Sequence, residues 1–316
     1  MTARTIAGRL SSAGAGLAAL GSCVAPNALP DAAPDSAPAP APVAVIQPIA
    51  TPSPGPAPAP SGPTTFVYAG ELTQGGWIRG QAPAGTVSAR LDGQSLVLDE
   101  DGGFFAAFDR DAGPSVRLVA GLADGRTVES PLTIAPRAWD IERVDVARTM
   151  GRTSEEFWCV REPELARIAA ARARDHDIAG WRQDFVWPVK GRISGRFGAQ
   201  RIYRGGEAGS YHSGLDIATG TSGTPYVAPA DGIVVLAAED PFTLEGLLLI
   251  IDHGGGLNSA FLHSSQLAVR EGDLVRRGQH IGNIGATGRA SGPHLHWSLK
   301  WRDARLDPLL FVGPME

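Results

Sequence analysis

The sequence predicts a mainly β chain: a small N-terminal β-sandwich, a connecting helix, and then a second, antiparallel β domain. Three observations carry that reading. Short alternating apolar runs separated by Gly-rich turns fill residues 64–136 and return after residue 185, the stretch between them switches to a helical period, and prolines crowd into one segment near the N-terminus. At 316 residues, with 43% hydrophobic and 19% charged side chains, the chain has enough apolar material for more than one core. Its 40 Gly and 25 Pro point to many turns and at least one unstructured stretch. The charge balance, 28 Lys plus Arg against 33 Asp plus Glu, is mildly acidic and gives no electrostatic footprint for nucleic acid.

Residues 1–23 have the layout of a secretory signal. Arg4 and Arg9 precede a modest apolar run, Leu10 to Leu20, too short and too rich in Ser and Gly to span a membrane permanently. Leu20-Gly21-Ser22-Cys23 resembles a bacterial lipobox, which makes Cys23 a candidate lipidation site and limits membrane contact to an N-terminal lipid anchor. Val24 follows where an aspartate commonly retains lipoproteins in the inner membrane, so the expectation is an exported, periplasmic protein held at the outer membrane. The other cysteine, Cys159, lies in a segment of different character and is read as a packed or idle thiol, not half of a disulfide. Residues 24–63 are dominated by Ala, Pro, Ser and Val; they cannot bury enough apolar surface to offset their ordering entropy and read as an extended tether.

In 64–136 the expected strands are Phe66-Val67-Tyr68, Val87 to Leu91, Ser95 to Leu98, Phe104 to Phe108 and Val116 to Val119, broken by Asp-Gly and Gly-Gly turns. Nothing there collects titratable groups, so this module reads as a spacer or docking unit. In 137–184 the helical period is clearest from Glu162 to Arg172, with Pro163 suited to a first turn and Gly180 closing the run. In 185–316 the expected strands are Ile233–Ala237, Leu247–Asp252, Ser259–His263, His280–Ile284 and His294–Lys300.

Six of the 7 histidines lie between Tyr211 and Trp297, leaving His176 outside. His212 and Asp216 stand four residues apart in a Gly-containing loop. His294 and His296 flank Leu295, and on a strand that spacing sends both imidazoles from one face while Trp297 turns into the core. A hydrolytic zinc site needs three protein ligands from His, Asp, Glu or Cys and a fourth position for water, whose pKa the metal brings to about 7. Two imidazoles and one carboxylate meet that need. His263 ends a strand, His253 reads as a turn histidine and His280 as an exposed one.

The stretch from Trp187 to Leu310 resembles the catalytic domain of the lysostaphin/LytM-type zinc metallopeptidases, which hydrolyse peptide bonds in peptidoglycan. The residues that carry the resemblance are Ser194-Gly195-Arg196-Phe197-Gly198, Tyr211 to Asp216, Val227 to Gly232, Phe261-Leu262-His263, Glu271 to Val275, and Gly285 to Gly288 through Ser291 to His296. The resemblance implies a zinc endopeptidase acting on the peptide stems of peptidoglycan, with zinc on His212, Asp216 and His296. It also implies that His294 and His263 flank the attacking water and the substrate carbonyl. One of them can take the proton while the other donates to the developing oxyanion, with His294 favoured as base.

Two other resemblances compete. The Gly-rich pattern from Gly223 to Ile284 is similar to biotinyl and lipoyl carrier domains, but those need a lysine at a hairpin tip, and the chain's two lysines, Lys190 and Lys300, occupy no such turn. LytM-like modules that have lost zinc and activate other wall hydrolases typically lack one or more ligands, whereas all five residues stand here. The cross-link between D-alanine and diaminopimelate is the expected target and glycine bridges the runner-up. The identity of any protein regulator is not legible.

Overall fold

The computed structural model describes residues 61–147 and 154–315; the signal-like segment, Cys23 and nearly all of the Ala/Pro-rich stretch lie outside the described residues. Strands β1 (Val67–Gly70), β2 (Trp77–Gln81), β3 (Thr86–Leu91), β4 (Gln94–Ser95), β5 (Gly103–Ala107), β6 (Ser115–Leu122) and β7 (Thr127–Thr133) form two antiparallel sheets, ordered β1-β2-β5 and β4-β3-β6-β7. They enclose Ile78, Phe104, Leu118 and Leu132 as the sandwich core. Every residue of β5 is buried. One face meets the sandwich core, and the other presents Phe105 to Trp301 at 6.5 Å, which is why that run is continuously apolar instead of alternating.

The strand pattern departs from expectation at three places, each with a local cause. β2 carries Gly80, which interrupts its apolar pattern, and β7 carries Pro131, which is tolerated because β7 is a sheet edge. The Ser95–Leu98 run gives only Gln94–Ser95, because the Asp99 carboxylate accepts from the backbone of Asp101 and Gly103 and turns the chain early.

After β8 (Ile141–Arg143) comes α1 (Glu155–Arg172), which starts seven residues upstream of its clearest periodicity. Ser154 is the cap, its Oγ accepting from the Phe157 N–H at 3.2 Å, so Pro163 sits inside the helix and not in its first turn. Cys159 lies within the helix and is exposed, not packed. The helix stops at Ala173; Gly180 opens a short 3₁₀ turn, Gly180–Arg182, and does not terminate α1.

The second β region holds β9 (Arg192–Gly195), β10 (Gln200–Ile202), β11 (Leu215–Ala218), β12 (Pro225–Val227), β13 (Gly232–Ala237), β14 (Leu247–Asp252) and β15 (Leu257–Ser264). It continues with β16 (Gln266–Leu267), β17 (Leu274–Val275), β18 (His280–Asn283), β19 (Leu295–Trp301) and β20 (Ala304–Leu306). The large sheet is ordered β17-β13-β14-β15-β19-β11-β9, with β20 on β19 and every pairing antiparallel. One face buries Leu249, Phe261, Trp297 and Trp301, and the small sheet β12-β18-β16 closes it, Tyr226 stacking on Phe261 at 5.5 Å. On the opposite face α1 packs Ile168 and Ala171 against Leu248, Ile250 and Ala260. The remainder of that face carries the candidate site residues Asp216 and His296.

His253 lies in the turn between β14 and β15 as expected, but it is buried: it is 0% exposed, its Nδ1–H donates to the Asp231 carbonyl at 2.8 Å, and its Nε2 accepts from Ser259 Oγ at 2.7 Å. Burial pushes its pKa down to about 4, so the folded state holds it neutral while the unfolded chain protonates it near 6.5. Its contribution to stability is therefore complete above about pH 6.5 and is lost as the pH falls towards 4, by roughly 3 kcal/mol in all. Urea unfolding between pH 7 and 4.5 is expected to show that fall, and His253→Asn, though less stable at pH 7, is expected to show a flatter one. Parallel pH slopes for the two proteins would contradict this assignment.

Candidate metal centre

Asp216 on β11 is the register partner of His296 on β19, which points both side chains from the same sheet face at adjacent positions. His212 enters from the loop before β11, held by paired backbone bonds: its N–H donates to Ala199 O at 2.8 Å and its carbonyl accepts from Gly198 N at 2.9 Å. The three donor atoms close a small triangle. His296 Nδ1 lies 2.8 Å from Asp216 Oδ1, His212 Nε2 lies 3.1 Å from the same oxygen, and the two imidazole nitrogens are 3.1 Å apart. These three residues can hold a metal ion.

The donor set can be tested against that role. Ligand atoms around a tetrahedral ion with bonds near 2.0–2.1 Å stand about 3.3 Å apart, so the triangle is close to size. His212 donates its Nδ1–H to the Arg196 carbonyl at 3.0 Å, which fixes the tautomer and leaves the Nε2 lone pair for the ion. Two glycines make the approach feasible. A Cβ on Gly214 would lie 2.6 Å from His296 Nε2, and one on Gly195 would lie 2.4 Å from Asp216 Oδ2. Burial alone would raise the Asp216 carboxyl, but the hydrogen bonds from His212 and His296 outweigh it and hold the group well below the usual carboxylate range. Burial lowers His296 against the pull of Asp216, whereas for His212 the hydrogen bond to Asp216 overcomes burial and raises it.

His294 lies just outside the strand expected to carry it. It forms an isolated bridge to Gly285, because Pro293 before it cannot extend the ladder, and its Nε2 still comes within 3.7 Å of Asp216 Oδ1. Its Nδ1–H donates to Gly292 O at 2.9 Å. His263, the last residue but one of β15, lies in the left-handed region at φ 66°, its ring 4.9 Å from that of His294 and its Nδ1–H on Thr287 O at 2.9 Å. Burial depresses its pKa, the Thr287 carbonyl partly opposing, so it stays neutral at pH 7. All five expected residues thus meet at one place. His176 pairs with the buried Asp252 at 2.8 Å instead, and His280 is exposed.

Sequence reasoning missed Arg110. This sandwich residue is 6% exposed and lies between the Trp139 and Tyr211 rings, 5.0 and 4.5 Å from their centroids. It donates to Gly198 O at 3.0 Å and Gln200 Oε1 at 3.1 Å, bracing the loop on which His212 rests. In sequence it is one charge in Asp109-Arg110-Asp111, indistinguishable from a solvated turn.

A His/Asp/His triangle on a sheet face, flanked by two further imidazoles, is a candidate hydrolytic metal centre. Residues 210–308 match Peptidase family M23. Peptidoglycan DD-endopeptidase ShyA of Vibrio cholerae is 39% identical over 131 residues, covering 41% of this chain and 30% of that protein. Murein hydrolase activator NlpD of Escherichia coli is 35% identical over 135 residues, 43% of this chain and 32% of that one. The chain spans about a third of the length of these two curated relatives. Among solved structures, a Pseudomonas aeruginosa protein assigned to peptidase M23 superposes with a TM-score of 0.59 at 29% identity, covering 77% of this chain and 96% of that one.

Proposed function

We propose that the chain is an exported zinc endopeptidase that hydrolyses peptide cross-links of peptidoglycan in the cell envelope, tethered through a lipidated Cys23. The observation that carries this reading is the triangle of His212 Nε2, Asp216 Oδ1 and His296 Nδ1 with His263 and His294 beside it. Two neutral nitrogens and one carboxylate oxygen suit zinc. When bound, zinc would supply a nucleophile at neutral pH and polarise the scissile carbonyl. His212, Asp216 and His296 would hold it. His294 and His263 each commit Nδ1 to a backbone carbonyl, leaving Nε2 to accept a proton when neutral or donate a hydrogen bond when protonated. They divide the tasks of base and oxyanion donor.

A second reading, a non-catalytic activator of other wall hydrolases, is favoured by the similarity to NlpD. One experiment separates them. Sacculi digested with purified protein are expected to lose cross-linked muropeptide dimers; chelator should abolish this, and zinc should restore it. His212→Ala should be inactive and hold less than about half an equivalent of zinc, against about one for the parent. Dimer loss that survives both chelator and His212→Ala would overturn the metal site; a metal-replete, folded, inactive parent would overturn the endopeptidase reading in favour of the activator one.

A further inference from the structure

The sheet face that carries His296 continues beyond the metal-binding triangle. Ser298 and Lys300 follow on alternate positions of β19, and the β15 partners of the three are Leu262, Ala260 and Asn258. Four residues of strand separate His296 from Lys300, about 13 Å, the reach of about four residues of extended peptide. α1 lines one side of this strip, packing on Ala260 and Leu262, and at its last residue Arg172 Nη1 donates to Asn258 Oδ1 at 2.6 Å. On the other side, Arg305 of β20 is the cross-strand partner of Lys300 and lies 5.4 Å from the Tyr211 ring centroid, next to His212. The strip therefore runs from the metal centre to a basic end.

That end is short of counter-charge. Among the described residues no carboxylate lies within ion-pair distance of Arg172 or Arg305, and Lys300 has only a loose 3.6 Å pair with the fully exposed Asp303. A cavity of about 360 Å³ opens there, lined by Arg172, Lys300 and Arg302 with Arg174, Asp175 and Asp303. Arg174 is already paired with Glu271 at 2.6 Å, while Arg302 Nε is buried without a hydrogen-bond partner. Burial and the Arg305 charge bring Arg172 down to about 10, and burial with the Arg172 charge lowers Lys300. Uncompensated like charges held this close raise the energy of the empty site, and an anion would relieve it.

We propose that Arg172, Lys300 and Arg305 form a subsite for a carboxylate of the peptide substrate, about four residues along this strip from the metal centre. The inference rests on the endopeptidase reading, since stem peptides carry free carboxylates on their acidic residues and at their C-termini. The test uses the full chain, stripped of metal, and a purified cross-linked muropeptide dimer with its carboxylates either free or amidated. The parent should bind the free form about tenfold or more tightly, the size of one charge-assisted hydrogen bond. Lys300→Gln and Arg172→Gln should each erase that preference, and Lys300→Arg should retain it. With metal restored, Lys300→Gln should raise KM for the free form about tenfold and leave kcat within about twofold. Equal binding of both forms by the parent, binding of neither, or a preference untouched in both Gln variants would overturn the subsite. Preferential binding without cleavage would instead overturn the endopeptidase reading and leave the subsite standing.

Discussion

Replacing His294 or His263 by alanine is expected to lower kcat for peptide hydrolysis by about 10²- to 10⁴-fold with metal content unchanged. The argument is geometric. Neither imidazole belongs to the triangle, yet the His294 Nε2 is 3.7 Å from Asp216 Oδ1 and the two rings are 4.9 Å apart, so under the proposed reading both border the place where a substrate would meet an ion held by the triangle. Steady-state kinetics on cross-linked muropeptides with parallel metal analysis checks this. A variant that loses metal together with activity would show that the residue holds the ion, and full activity in either variant would remove it from the chemistry. The pH profile then divides the roles, because the variant lacking the base should lose the acid limb of kcat/KM. His263, neutral at pH 7 with Nδ1–H committed to Thr287 O, competes on equal terms with His294 for that role.

The five residues of this centre are legible in the sequence because each sits in a local pattern with a chemical reason: the four-residue interval from His212 to Asp216, the alternation from His294 to His296, and a strand that ends at His263. What brings them together is not local. Asp216 meets His296 through the β11–β19 register, and Gly195 and Gly214 are small because a carboxylate and an imidazole occupy the space of their missing side chains. The fold was equally readable where periodicity spoke, as at Leu247–Asp252, and unreadable where a single residue masked it, as at Gly80, Pro131 and the cap Ser154. Buried polar residues were the least legible. Arg110, His253 and Arg161 look like surface or turn residues until tertiary partners are known, since burial of a charge is set by what lies opposite it.

Arg161→Ala is expected to be strongly destabilising although it lies outside the metal centre, and to slow hydrolysis without touching a reacting group. Arg161 is 6% exposed; its guanidinium donates to both oxygens of Glu245 at 2.6 and 2.7 Å and to Glu164 Oε2 at 2.9 Å. Glu164 in turn accepts from the Thr243 N–H and hydroxyl, both at 2.6 Å, so α1 grips the 242–246 loop at two points. Removing the cation leaves Glu245 and Glu164 facing each other in a largely dry site, a loss of about 3–5 kcal/mol for breaking one side of a buried network. For a chain this size that is a fall in Tm of roughly 10 °C. The same loop holds His263. The Glu245 carbonyl accepts the His263 N–H at 2.8 Å, and it is this bond, with the Thr287 contact, that keeps a histidine at φ 66° against its steric preference. Loosening Glu245 should let His263 relax, and a shift of about 1 Å at such a group lowers kcat by up to about 10²-fold. Differential scanning calorimetry with kinetics well below the lowered Tm separates the two effects. Arg161→Lys, which keeps charge but not the fork, should recover part of the stability and less of the kcat. A Tm within about 2 °C of the parent in Arg161→Ala would refute the network's contribution, and an unchanged kcat at a lowered Tm would refute the link from α1 to His263.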